Sequence, residues 1–206
     1  MPLAIQTQVG QQAVQDGAIV PARGGKAGEQ MVSEVQARYY EQAYRGNTFI
    51  ASNVAAQAVS VALAATYTGL AISNPLGNTK NLVLLGYGFA LTVAPAAIAS
   101  LHLIGGYSAT ANVTHTTPLA APGIQNALLG TGPQSSAKAD SAATVVNPGY
   151  LQPLMGGFTA AALPSSPVTW IDLGGQIILP PGAWAAVGAL TAVTGFGGFT
   201  WAEVPV

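Results

Sequence analysis

Residues 81–93 read NLVLLGYGFALTV, and the spacing of their apolar side chains decides the class of fold. Val83, Leu85, Tyr87, Phe89, Leu91 and Val93 fall on every second position, the repeat of a β-strand, so one face carries six large apolar groups. That face is expected to be buried. The opposite face, Leu82, Leu84, Gly86, Gly88, Ala90 and Thr92, turns small in its second half, as where another backbone or subunit lies close. Gly86 and Gly88 also leave room for a bulge or bend, because thirteen residues make a long strand.

Working outward, the SNPLGN run at 73–78 supplies the dihedrals of a turn leading into this strand. Upstream, 48–52, 58–63 and 67–73 are candidate strands; downstream, 98–104 is another, closed by Gly105 and Gly106. Residues 108–148 are polar and rich in Thr, Ser and Pro, and long loops are expected there, with short strands at 124–129 and 142–146. The end of the chain sharpens into strands at 168–173, 176–179, 183–193 and 199–204. Their separators are Gly174-Gly175, Pro180-Pro181-Gly182 and a turn at 195–198. Short strands on turn-rich spacing, without βαβ alternation, predict an all-β sandwich or barrel. A jelly roll fits best, because it joins paired sheets with long excursions between distant strands.

Of the 206 residues, 50% are hydrophobic and only 6% charged, against about 25% in an ordinary soluble domain. A membrane-spanning helix does not account for this: the most apolar window, 88–104, contains Pro95 and is shorter than the roughly 20 residues a span needs. Nor does the Ala/Gly/Pro-rich second half keep the alternation of an outer-membrane barrel. A net charge of -1 without a basic cluster gives no footprint for nucleic acid. Zero cysteines exclude disulfides and thiolate chemistry. The opening residues MPLAIQTQVGQQ lack the basic and long apolar segments of a secretory signal, so synthesis in a cytoplasm is expected. Permanent contact with neighbouring subunits remains as the explanation, since such interfaces are depleted in charge and resemble a core cut in half.

The charges are unevenly placed: eight of thirteen (six basic plus seven acidic) lie within the first 45 positions. A composition boundary near Gly46 therefore divides an N-terminal arm, 1–46, from a β domain, 47–206. Within the arm an extended segment is expected to precede a helix over 29–45. Val32, Val35 and Tyr39 share a face there, Glu34–Arg38 and Glu41–Arg45 form i,i+4 pairs, and Gly46 suits the position just past the end. Each pair adds about 0.2–0.5 kcal/mol, so the helix needs a docking surface. Tyr39, Tyr40 and Tyr44 supply one, facing either the chain's own β domain or a neighbour. With Arg38 and Arg45 they are the candidate partner-binding residues.

Chemistry-bearing residues are sparse. His102 and His115 have no carboxylate within ten positions, which argues against a metal site. His102 reads as a hydrogen-bonded strand residue and His115 as a loop residue. Asp140, Asp172 and Glu203 are the carboxylates of the β domain. Asp172 and Glu203 each lie two positions from a tryptophan, Trp170 and Trp201, a pattern that admits a glycosidase-like pair but more simply marks strand faces. Gly106-Tyr107-Ser108-Ala109 lacks the second glycine of a nucleophile elbow, and 130–138 lacks the ending of a phosphate loop. No catalytic set and no cofactor are expected.

Two stretches carry a family resemblance. TYTGLAISNPLGNTKNLVLLGYGFAL (66–91) resembles a segment of tailed-phage virion structural proteins, in which such a turn leads into a long core strand. ILPPG at 178–182, followed by GFTWAEVPV at 198–206, is similar to the closing hairpin of those proteins. The resemblance implies a jelly-roll β-sandwich with an extended, partly helical N-terminal arm. It further implies a homotrimeric capsid cement or decoration protein on the capsid surface, clamping the joins between major capsid protein subunits. The alternatives are a tail or baseplate receptor-binding module on the same fold, stacking cell-surface glycan on Trp170, Trp184 or Trp201, and a hydrolase built on Asp172 and Glu203.

Overall fold

The structure is a computed structural model that describes residues 7–8, 22–23, 38–61, 63–119, 123–130, 132–158 and 168–206. It forms two compact units, Met1–Tyr40 and Glu41–Val206. In the first, β1 (Thr7–Gln8) and β2 (Ala22–Arg23) pair in parallel, and the Arg38 guanidinium carbon stands 5.3 Å from the centre of the Tyr39 ring. Of the helix expected over 29–45, residues 29–37 lie outside the described residues, Arg38 and Tyr39 form a turn, and α1 spans Tyr40–Tyr44. Gly46 ends α1 with φ at +71°: its N–H donates to the Ala43 carbonyl at 3.0 Å, and the Asn47 N–H donates to Gln42 at 2.9 Å. That is the left-handed glycine cap expected just beyond Arg45.

The second unit is a β-sandwich. Its strands are β3 (Thr48–Ser52), β4 (Gln57–Val59), β5 (Thr66–Ser73), β6 (Lys80–Leu91), β7 (Ala99–Tyr107), β8 (Thr114–Pro118), β9 (Ile124–Asn126), β10 (Lys138–Thr144), β11 (Gly149–Phe158), β12 (Val168–Leu179), β13 (Ala183–Ala189) and β14 (Val193–Pro205). The first sheet runs β11-β7-β13-β5-β10-β8 and the second β12-β6-β14-β3-β9, with β4 also paired to β14; all of these pairings are antiparallel. One hydrophobic core joins the inner faces of both sheets.

The strand at 81–93 exists, but its buried side is not the single face that strict alternation predicts. Leu82 and Leu84 are fully buried, and so are Tyr87, Phe89 and Leu91 beyond them, whereas Val83 is half-buried and Val93 exposed. Pairing with β14 explains the change of phase: Trp201 opposes Leu84 and Thr200 opposes Gly86, so Leu85 is an extra residue, a β-bulge that hands the core from even to odd positions. On the other side of β6, Ile177 opposes Leu84 and Asp172 opposes Gly86, and the surplus residues of β12 include Gly174 and Gly175, both at positive φ. The bend allowed at Gly86 is thus built by bulges in the flanking pairings.

Three further expectations change. The 195–198 run is the interior of β14 and not a turn; a Cβ at Gly195 would collide with the Ala90 carbonyl, so the glycine serves close strand approach. The strand expected over 183–193 stops at Ala189, and β14 begins at Val193. The polar stretch expected mainly as loops also contains β8, whose Thr-rich residues pair at the edge of the first sheet, and the strand expected over 142–146 is β10, which starts earlier, at Lys138, and ends at Thr144.

Aromatic pairs anchor the core: Trp201 stacks on Phe49 and Phe199 on Tyr87, each with ring centres 6.1 Å apart. The buried Tyr67 hydroxyl donates to the Val187 carbonyl at 2.5 Å, and burial pushes its ionisation far above the ordinary tyrosine range.

Candidate functional site

The outer face of the second sheet is set by strand register. One row of paired Cα positions runs Ser52, Gly198, Gly88, Trp170; the next runs Gln125, Ile50, Thr200, Gly86, Asp172. Glycine at the centre of both rows leaves bare backbone, and Trp170 fills the space. A Cβ at Gly86 would lie 2.7 Å from Trp170 Cζ2, and one at Gly198 would lie 3.7 Å from Cζ3. The indole therefore lies down along the sheet, from β12 across β6 to β14, and stays 55% exposed. Asp172, beside it on β12, is exposed and accepts the Gly174 N–H at 2.8 Å. At the far side of the same face a cleft of about 230 Å³ is lined by Ile50, Ser52, Val54, Gly123, Gln125 and Leu129.

A polar knot occupies one end of the sandwich. Glu203 follows Trp201 on the buried side of β14 and is 1% exposed. Its carboxylate accepts from Ser135 Oγ (2.6 Å), Ser136 N (2.8 Å), Ser136 Oγ (2.8 Å) and Lys80 Nζ (2.9 Å). Burial alone would raise its pKa; the hydrogen bonds from Ser135, Lys80 and Ser136 outweigh this and hold the carboxyl below its ordinary value. The SNPLGN turn joins in: Asn78 Nδ2 donates to Ser136 Oγ (2.9 Å), and Asn74 Nδ2 donates to the Lys80 (2.8 Å) and Leu179 (2.9 Å) carbonyls. Each of these contacts of Glu203 ties β14 to another segment of the same chain.

The antiparallel pairing of β8 with β10 brings His115 to Asp140, although 25 positions separate them. His115 Nδ1 lies 2.7 Å from Asp140 Oδ2; the carboxylate is buried and the imidazole part-exposed. His115 is accordingly a strand residue, correcting its reading as a loop residue. No local signal marks the pair, which exists through long-range register alone. His102 is a strand residue, as expected, with Nε2 3.0 Å from Ser100 Oγ and a pKa lowered by burial. Among the described residues no group of three His, Cys, Asp or Glu gathers to hold a metal ion.

The other sequence candidates separate. Asp172 and Glu203 are not brought together: their partners on β6, Gly86 and Leu82, are four positions apart, and one carboxylate is exposed while the other is buried. Trp184 and Trp201 are fully buried and cannot stack on a glycan, which leaves Trp170 as the indole offered to solvent. Of the arm residues, Arg38, Tyr40, Tyr44 and Arg45 are exposed and Tyr39 is half-buried. Trp170 was among the stacking candidates, but its flat placement was not legible: the small residues of β6 signalled a close neighbour, and that neighbour is the Trp170 indole of the same chain. No protein family, curated protein or solved structure matches this chain. Fold and surface define a charge-poor antiparallel β-sandwich.

Proposed function

We propose that this protein is a structural subunit of a tailed-phage virion, a homotrimeric cement or decoration protein that binds across joins between major capsid protein subunits on the capsid surface. It acts by burial of neutral surface, without catalysis. The observation that carries this reading is the amount of large apolar surface left open on a chain with 6% charge. Tyr44, Ile98 and Leu129 are 64%, 77% and 75% exposed, alongside Tyr40, Tyr107 and Val206. Such surface favours association over a monomeric life in water.

Strand order supports a jelly roll as the finer description of the sandwich. With β3, β5, β6, β7, β11, β12, β13 and β14 numbered 1 to 8, the sheets contain the orders 1-8-3-6 and 2-7-4-5, those of two interlocked Greek keys. The stretches that resemble phage proteins fall on β5 with β6, on the end of β12 with the turn after it, and on the second half of β14. In this reading the arm engages the shell through Arg38, Tyr39, Tyr40, Tyr44 and Arg45.

Replacing Tyr40 and Tyr44 together by alanine is expected to weaken attachment to capsids by about tenfold or more, because aromatic anchors dominate such interfaces. The far-ultraviolet spectrum and thermal midpoint should hold, since both side chains are exposed. Co-sedimentation with capsids lacking the native protein reads the affinity, and saturation at wild-type concentration sinks the arm's role. Attachment should respond weakly to added salt, few ion pairs being available to screen.

A further inference from the structure

We propose that one end of the second unit is a membrane-contact tip, which enters a lipid bilayer as far as the acyl boundary without spanning it. This proposal rests on the loops at that end and not on a virion location.

Strand register gathers three connections there. β6 runs into residues 92–98, and the Thr92 N–H donates to the Thr194 carbonyl at 3.0 Å, where β14 begins. The connection from β13 to β14, 190–192, lies against the same segment: the Leu190 N–H donates to the Ser100 carbonyl at 3.3 Å, and Thr191 Oγ1 donates to the Ile98 carbonyl at 2.9 Å. β4 pairs with the start of β14, and Val61 just beyond it bridges to Ala189. Val61, Val93, Ile98 and Leu190 therefore stand at one end of the sandwich, between 45% and 77% exposed. Ala64, Ala65, Ala96 and Ala97 are exposed in the same connections.

Charge and hydrogen bonding decide what covers this end. Residues 53–79, 81–137 and 173–202, which include all three connections, contain no Asp, Glu, Lys or Arg. Lys80, Glu203 and Lys138 stand at the opposite end, at the start of β6, near the end of β14 and at the start of β10. The hydroxyls of the tip are turned back on the chain. Thr191 bonds as above, Thr92 Oγ1 donates to the Thr194 carbonyl at 3.2 Å, and Ser60 Oγ shares a hydrogen bond with Thr68 Oγ1 at 3.0 Å. What faces outward is aliphatic.

A standard protein interface uses about 20–30 residues a side, about one hydrogen bond per 100–200 Å², and Trp, Tyr or Arg anchors. The three connections contain no aromatic residue and no Arg, and their bonded hydroxyls offer little directed contact. An acyl layer asks for no directed contact, only apolar surface free of charge. Irregular backbone does not enter the hydrocarbon core, so insertion stops about 5–10 Å deep, at the headgroup–acyl boundary. With no cation at the tip, anionic lipid adds little attraction, and a neutral bilayer suffices.

The test uses the full-length chain with phosphatidylcholine vesicles, alone and with phosphatidylglycerol added. Co-flotation is expected with both, differing less than about twofold between them and between low and high salt. Ile98→Ser combined with Leu190→Ser should cut binding at least about tenfold while the thermal midpoint holds, because both side chains are exposed. The chain has no cysteine, so Ile98→Cys and Val206→Cys each accept a single environment-sensitive dye. The dye at 98 is expected to shift to the blue on vesicles. The dye at 206, beside Thr79 at the opposite end, is expected to stay unchanged. Absence of flotation with phosphatidylcholine overturns the proposal. So do flotation that requires phosphatidylglycerol, equal dye shifts at 98 and 206, or wild-type binding in the double variant. A shift at 98 that follows protein concentration without vesicles would assign the tip to a second copy of the chain and overturn it as well.

Discussion

Trp184→Ala is expected to destabilise the sandwich by about 3–5 kcal/mol, the range for deleting a large aromatic from a close-packed core. The side chain is fully buried on β13, between β5 and β7 in the first sheet. Its Nε1 also donates to the Val146 carbonyl at 2.7 Å, tying the connection between β10 and β11 to the sheet. Truncation opens a cavity and leaves that carbonyl without its donor. For a protein of this size the thermal midpoint should fall by roughly 10 °C. A paired substitution separates the two contributions. Trp201 is equally buried, but its Nε1 has no hydrogen-bond partner among the described residues, so Trp201→Phe removes an unsatisfied donor while Trp184→Phe creates an unsatisfied acceptor. Trp184→Phe should cost about 1–2 kcal/mol more than Trp201→Phe in urea unfolding. Equal losses would show that the Val146 bond contributes nothing.

The second large effect is expected at Glu203. Glu203→Ala removes the acceptor of the Ser135, Ser136 and Lys80 hydrogen bonds, and the loss should be about 2–4 kcal/mol, moderated because Lys80 is 35% exposed and can regain water. The effect depends on pH in a defined sense. The folded carboxyl titrates below its ordinary 4.5, so its contribution is fully present above that pH and is lost as pH falls through the lower folded value. Wild-type stability should therefore drop on acidification below about pH 4.5, and Glu203→Gln should show a flatter profile in that window. Urea midpoints across pH 3 to 7 measure this, and parallel profiles would refute the assignment.

The core strand was legible at 81–93 because apolar side chains recur at the β period over a long run. Its bulge was not, since Leu85 becomes an extra residue only through the register of β14, a partner more than a hundred positions away. The glycines of β14 look like a turn in isolation and act as contact points for a neighbouring strand. The same limit hid the His115–Asp140 pair and the orientation of the tryptophans. Alternation alone could not say that Trp184 and Trp201 face the interior while Trp170 lies on the outside. Local chemistry served better at the helix end, where Gly46 takes the left-handed cap that its position beyond Arg45 implies.

Cryo-electron microscopy of intact particles from the source, with this chain traced into the density, tests the central claim most directly. The account predicts trimers over the joins between major capsid protein subunits, the arm residues Tyr40 and Tyr44 against the shell and the Trp170 face turned to solvent. Density confined to the tail, or a particle without this chain, would contradict it.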